Sequence, residues 1–341
     1  MHPRRMRSTW VLLWCLVAAV AVPVTAGAED GAGENPSLEY RPPRLVVPEP
    51  KAPTPAPPVA IFREALGGFG ISSGAFDGPV DVAFGRDGGL YVLDSGNGRV
   101  QRFDSFGNFV STWGSSGSRP GEFRDPMALA VDAEGSVYVA DTGNHRIQKF
   151  DAEGKFLLLW GSLGSRSGDF KSPNDLVFDG DGTLWVVDSG NERIQQFDQA
   201  GKHLREWGRA FGSRGGVFSD LVSIAWSDER FGYIYLLGAE CLVQQFERDG
   251  TLVTSWSGLT PESAVCVPGR LESDNRDDAL YFVDAGNGLV VKFNREGRYL
   301  TSLRGAASPF SRPQGLAVNP ERGDFAVADT GNDLVQKFTL R

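Results

Sequence analysis

The chain has 341 residues, with 34 basic against 43 acidic side chains and a formal net charge of −9. Arg4, Arg5 and Arg7 sit at the very start, so the remainder is more acidic still. Phosphate backbones are held by Lys and Arg that displace counterions, so this balance argues against a nucleic-acid partner.

Residues 1–28 read as a secretory signal. The three arginines form a charged start, residues 10–22 an apolar run, and Ala26-Gly27-Ala28 an A-x-A cleavage site. The run is short for a membrane span, which needs about 20 apolar residues. An uncleaved anchor is the alternative. Either way the rest of the chain is expected outside the cytoplasm, in a periplasm or secreted. Residues 29–58 form a linker. Its second half, RPPRLVVPEPKAPTPAPP, is an extended spacer because proline fixes φ and lacks an N–H.

From residue 59 onward one phrase recurs. It reads YVLDSGNGRVQRFD from Tyr91, YVADTGNHRIQKFD from Tyr138 and WVVDSGNERIQQFD from Trp185. Looser copies are YLLGAECLVQQFE from Tyr235, YFVDAGNGLVVKFN from Tyr281 and DFAVADTGNDLVQKF from Asp324. Its Asp falls at Asp94, Asp141, Asp188, Asp284 and Asp329, with Gly238 in the fourth copy. The steps of 47, 47, 50, 46 and 45 residues predict a β-propeller with one four-stranded blade per repeat. In the second copy, strands are expected at Met127–Val131, Ser136–Ala140, Arg146–Asp151 and Phe156–Trp160, where apolar residues alternate between turn residues. Trp113, Trp160, Trp207 and Trp256 end outer strands and are expected to pack between blades.

Two ends complete the ring. Residues 62–79 align without gaps to residues 156–173, an outer strand plus the loop into the next blade, while the chain stops after a third strand. Residues 61–66 are therefore expected to pair with Val335–Phe338, closing six blades and removing two exposed edges. The fold expected is all-β, a six-bladed propeller over 59–341. Cys241 falls in the turn of the fourth copy. Cys266 aligns with Phe84, Val131, Phe178, Trp226 and Val318 at the far end of an inner strand, which predicts two unpaired thiols.

The pattern P-x-x-(L/V)-A-(V/F) followed by (Y/W)-V-x-D-(S/T)-G-N-x-R-(I/V)-Q-x-F resembles the NHL repeat family over roughly residues 60–341. Blades one to three fit closely, five and six well, and four poorly. The resemblance implies a six-bladed propeller and little about activity, since such propellers bind proteins, RNA or ligands and some are enzymes. The stretch PNDLVFDGDGTLWVVD is also similar to gluconolactonase-type propellers, in which Asn and Asp near the axis hold a divalent metal. Channel positions read as Val80-Asp81, Met127-Ala128, Asn174-Asp175, Val222-Ser223, Glu262-Ser263 and Gln314-Gly315. Asp81, Asn174, Asp175 and Glu262 are then the candidate ligands for a cation such as calcium, which takes oxygen donors. An amidating-lyase reading needs clustered histidines. His2, His145 and His203 are scattered, so no multi-His zinc site or catalytic triad is expected.

Arg99, Arg146 and Arg193 follow the turn in the first three copies, where later ones carry Leu242, Leu289 and Leu334. Arg119, Arg166 and Arg214 lie in the loops leading into inner strands. These six form a candidate basic arc for an anionic ligand or acidic protein, because Arg matches carboxylate and phosphate. The alternative is that they bridge blades to turn carbonyls and Asp side chains. The function expected is a monomeric, non-enzymatic binding scaffold with no cofactor. It would use the lead-in loop face, with Phe123, Phe170, Phe211 and Phe218. A metal-dependent lactonase or hydrolase is the alternative.

Overall fold

The computed structural model describes residues 60–208, 216, 218–228, 232–261, 265–319 and 321–340. The expected signal and linker lie outside them, as do Phe211, Arg214 and Glu262. After β1 (Ile61–Gly67), blade one is β2 (Pro79–Phe84), β3 (Leu90–Asp94), β4 (Arg99–Phe103) and β5 (Phe109–Trp113). Blade two is β6 (Ala128–Val131), β7 (Val137–Asp141), β8 (Arg146–Phe150) and β9 (Phe156–Trp160). Blade three is β10 (Pro173–Phe178), β11 (Leu184–Asp188), β12 (Arg193–Phe197) and β13 (His203–Gly208). Blade four is β14 (Leu221–Ser227), β15 (Tyr233–Gly238), β16 (Leu242–Glu247) and β17 (Leu252–Ser257). Blade five is β18 (Pro268–Asp274), β19 (Ala279–Asp284), β20 (Leu289–Asn294) and β21 (Tyr299–Leu303). Blade six is β22 (Gly315–Val318), β23 (Asp324–Asp329) and β24 (Leu334–Thr339), with β1 as its outer strand. No α-helix occurs among the described residues, and so none there is long and apolar enough to cross a membrane.

Ring closure follows the expected register. Phe62 pairs with Phe338 and Leu66 with Val335. Phe338 stacks on Phe325 with ring centroids 4.8 Å apart and meets Phe62 edge-on at 5.8 Å. Joining both ends of the chain in one sheet covers the edge of β24 and makes β1 the outer strand of the blade.

The core lies between blades. Tyr138 and Ala140 of blade two pack with Leu176 and Val186 of blade three in one buried cluster. Tyr235 and Leu237 of blade four pack likewise with Leu280 and Phe282 of blade five. The larger of these side chains, the leucines, valine and phenylalanine, each contribute about 1.5–3 kcal/mol on burial. The outer-strand tryptophans pack as expected, over the outermost turn of the following blade. A Cβ on Gly154 would lie 2.3 Å from Trp113, and one on Gly297 2.4 Å from Trp256. Both glycines have positive φ, so the turn and the close approach require the same residue.

The expectation of two unpaired thiols is wrong: Cys241 and Cys266 form a disulfide, with Cα atoms 6.2 Å apart. The error is one of register. Blade five starts at Pro268, not Pro261, so Cys266 lies in the loop leading into that blade and not on its inner strand. Cys241 occupies the left-handed position of the blade-four turn, at φ 55°. Equivalent positions in other blades touch the next blade's lead-in loop. His145 Nδ1 accepts from the Ser172 N–H at 3.1 Å, and Asp333 Oδ1 accepts from the Gly78 N–H at 2.8 Å. The disulfide makes the same inter-blade link covalently. Replacing Cys266 by Ser should lower stability by about 2–4 kcal/mol, read as a drop in melting temperature that reductant reproduces in the parent protein. An unchanged melting temperature would show that the link carries no stability.

Candidate functional site

The repeated Asp sits at the end of the second strand of its blade, and in blades one, two, three and six a single 3-10 turn follows, to whose backbone its side chain makes no bond. In blade five Asp284 also accepts from the Asn287 N–H of its own turn at 3.2 Å. It reaches instead to the lead-in loop. Asp141 Oδ1 accepts from the Arg124 N–H at 2.7 Å, and its other oxygen accepts from Arg146 Nε at 2.7 Å and Gln148 Nε2 at 2.9 Å. Asp94 accepts from the Asp77 N–H and Asp188 from the Lys171 N–H in the same way. Asp284 and Asp329 bind the Val267 and Ser311 N–H groups. The Asn of the phrase donates to this carboxylate and to a loop carbonyl, as Asn144 does to Asp141 and to the Gly117 oxygen. Five turns thus hold five loops.

The predicted basic arc divides. Arg146, bonded to Asp141, also donates to the carbonyls of Ser118, Arg119 and Glu122. Arg99 does the same with Ile71, Ser72 and Ala75, and Arg193 with Ser165, Arg166 and Asp169. Their guanidinium groups are turned inward and spent on the loop backbone. Arg119 and Arg166 are exposed on those loops. Phe123, Phe170 and Phe218 are buried in the core, contrary to the expected contact role, because each leads its loop back under the blade. The same loops expose other apolar side chains: Phe69 at 69%, Ile71 at 83%, Leu163 at 67% and Val265 at 72%.

The central channel holds a second polar group. Strand pairing puts Asp81, Ala128, Asp175, Ser223, Arg270 and Gly315 at one level around the axis. Arg270 replaces the predicted Glu262-Ser263 there, following the corrected start of blade five. Three of these side chains bind the N–H at the edge of the next inner strand. Asp81 accepts from Leu129 at 2.9 Å, Asp175 from Ile224 at 2.8 Å, and the Ser223 hydroxyl from Leu271 at 2.9 Å. Arg270 Nη1 lies between Asp81, at 3.1 Å, and Asp175, and its Nη2 donates to the Leu176 carbonyl at 3.3 Å. The channel thus brings Asp81 and Asp175 together on a guanidinium. Asn174 instead spends its amide on the Leu221 and Val222 carbonyls, leaving its Oδ1 buried without a partner.

Burial pushes Asp81 up to about 7, against the opposing pull of Arg270. It also raises Asp175. Glu272, further along the channel, is pushed up to about 8 by burial. Burial opposes the charge on Arg270, but Asp175, Asp81 and Glu272 outweigh it and hold the guanidinium ionised. Beyond this level a cavity of about 520 Å³ runs to the hairpin turns on the face opposite the lead-in loops.

A family model described as NHL repeat matches residues 76–103, 123–150, 170–197 and 310–338, which are blades one, two, three and six. The chain belongs to the NHL-repeat propellers. Blade four, outside those matches, lacks the turn Asp. No curated protein matches the chain by sequence. Solved structures similar to this NHL propeller include a streptogramin B lyase, at 14% identity and a TM-score of 0.56, covering 82% of this chain and 98% of that one. Another is selenomethionine-substituted virginiamycin B lyase from Staphylococcus aureus, at 15% and 0.56, with 82% and 99% covered. A catalytically inactive histidine-to-alanine variant of that lyase with quinupristin scores 0.57 at 15%, with 82% and 100% covered. At such identities the likeness shows the fold alone.

Two outcomes follow for this NHL propeller. Arg146→Ala strands a buried carboxylate and should cost about 3 kcal/mol in denaturant unfolding. A melting point unchanged by that substitution would place Arg146 outside the structural lock. Asp81 and Glu272 bind protons more tightly when folded, so their contribution is full below the ordinary carboxylate range and is lost as pH rises towards about 7 and about 8. Stability should therefore decline over that window. Asp81→Asn should flatten part of the slope, and an unaltered slope would remove Asp81 as its source.

Proposed function

We propose that the propeller is a non-enzymatic scaffold that binds a protein partner through its lead-in loop face. The observation that carries this reading is the set of exposed apolar side chains there, Phe69, Ile71, Leu163 and Val265. They stand on the lead-in loops of blades one, three and five, so a partner broad enough to cover that face would meet them together. The loops beneath are fixed by the turn carboxylates and arginines, so the surface is offered in one shape, which lowers the entropy lost on binding. Arg119 and Arg166 stand among these residues and favour a partner with acidic groups.

Two features weigh against the lactonase or hydrolase alternative. A divalent ion held by Asp81 and Asp175 would need the position between them that Arg270 takes, so these residues do not fit a cation site of that kind. One similar lyase structure is an inactive histidine-to-alanine variant. Here His145 lies in a blade turn and His203 on an outer strand, and neither lines the channel. The N-terminal segment supports export, with the linker as a spacer between an anchor or cleavage point and the propeller.

The test is capture of a partner from the source organism's extracytoplasmic fraction by the parent protein and by an Ile71→Asp/Leu163→Asp variant. The variant should fold with an unaltered melting temperature and lose at least tenfold in captured partner, equivalent to about 1.4 kcal/mol. Equal capture by both proteins would move the interface off this face.

A further inference from the structure

The cavity on the opposite face differs from the loop surface in form and chemistry. Its floor is the level of Arg270. One step further along the axis, inner strands place Ala83, Ala130, Val177, Glu272 and Ala317 around the wall. Four small apolar side chains explain why the channel opens here, and Glu272 is the one charged group among them. Half-buried Phe84 and Phe178 line the next level. The cavity's volume of about 520 Å³ lies in the range of small-molecule sites, about 300–1,000 Å³.

The Glu272 carboxyl makes no hydrogen bond among the described residues. Arg270, on the floor, has a buried Nε without a partner, while its other nitrogens are taken by Asp81, Asp175 and the Leu176 carbonyl. This half-buried carboxyl is left for solvent or a ligand in the chamber to satisfy. The charged groups that act on Glu272 are Arg270, Asp81, Asp175 and Asp274, three carboxyls against one guanidinium. At the mouth, exposed Asp228 and Glu321 outnumber Arg86.

We propose that this chamber binds a small organic cation, a primary ammonium carried on an apolar or aromatic body, with Glu272 as its counter-ion. The ammonium supplies the donors that Glu272 lacks, in a charge-assisted pair. The alanine walls and Phe178 accept the apolar body, and aromatic faces also attract cations. An anionic ligand is disfavoured because Arg270 is already neutralised by its own carboxylates. A bare metal ion is disfavoured because one free carboxyl in an apolar wall supplies too few oxygens. Empty, Glu272 is largely protonated near neutral pH; filling the site with an ammonium ionises it and releases a proton.

The probe is phenethylamine, compared with 2-phenylethanol, by calorimetry at pH 7 in two buffers of different ionisation heat. The amine should bind at least tenfold more tightly than the alcohol, with proton release to the buffer. Glu272→Gln should abolish that preference. The amine–alcohol comparison on the parent protein decides the matter even where the variant does not fold. Equal binding of both probes, binding of neither at about 10 mM (a Kd weaker than the millimolar range), or an undiminished preference in Glu272→Gln would overturn the proposal. Those outcomes leave the loop-face reading untouched, because the two sites lie on opposite faces.

Discussion

A single turn carboxylate in each of five blades organises the surface that a partner would meet. In five of six turns an Asp, buried at the end of the second strand, accepts from a lead-in loop N–H and from the Asn of its own turn. A buried carboxylate is stable only when fully hydrogen-bonded, so the loop must come to it. In blades one to three an Arg and a Gln complete the set and bind the loop carbonyls as well. The loops are therefore held by polar contacts on their inner side, which leaves Phe69, Ile71 and Leu163 outward. Blade four has Gly238 in place of the Asp, and the Cys241–Cys266 bond ties its turn to the following loop instead.

Much of this was legible in the sequence. The repeat spacing and the displaced outer strand gave the six blades and the closing pair, because strand periodicity and edge pairing are local rules that leave a clear trace. The loop partner of the turn Asp was not legible, since the N–H that donates to it lies 17 residues earlier in a loop of irregular sequence. The blade-five register was missed for a readable reason. In the first three blades the starting Pro precedes the Asp by 15 residues, and Pro268 precedes Asp284 by 16, whereas Pro261 lies 23 away. That spacing would have moved Cys266 into a loop beside Cys241 and put Arg270 on the axis. The choice between buried and exposed phenylalanines depended on how each loop folds back, which no alternation of residue types encodes.

The channel and the loop face embody different solutions to the same problem. At the narrow level, Asp81, Asp175 and Ser223 satisfy the inner-strand N–H groups that a ring of strands leaves unpaired at its centre. Two such carboxylates would repel each other, and Arg270 balances them. This closes the axis with protein groups alone. Where the wall turns to alanine the channel widens, and Glu272 is left facing open space. The loop face has the opposite character, with its polar groups inside and its apolar ones out.

The central claim is that the turn carboxylates fix the loop face while the inter-blade core carries the ring. Hydrogen–deuterium exchange on an Asp188→Asn variant tests it most directly. The account predicts that residues 161–172 and the Gly190 N–H, which bonds the Lys171 carbonyl at 2.9 Å, lose protection. The strands of blade three, held by the packed core, should keep theirs. Unchanged exchange in that loop would contradict the account, since the loop would then be held by something other than its carboxylate.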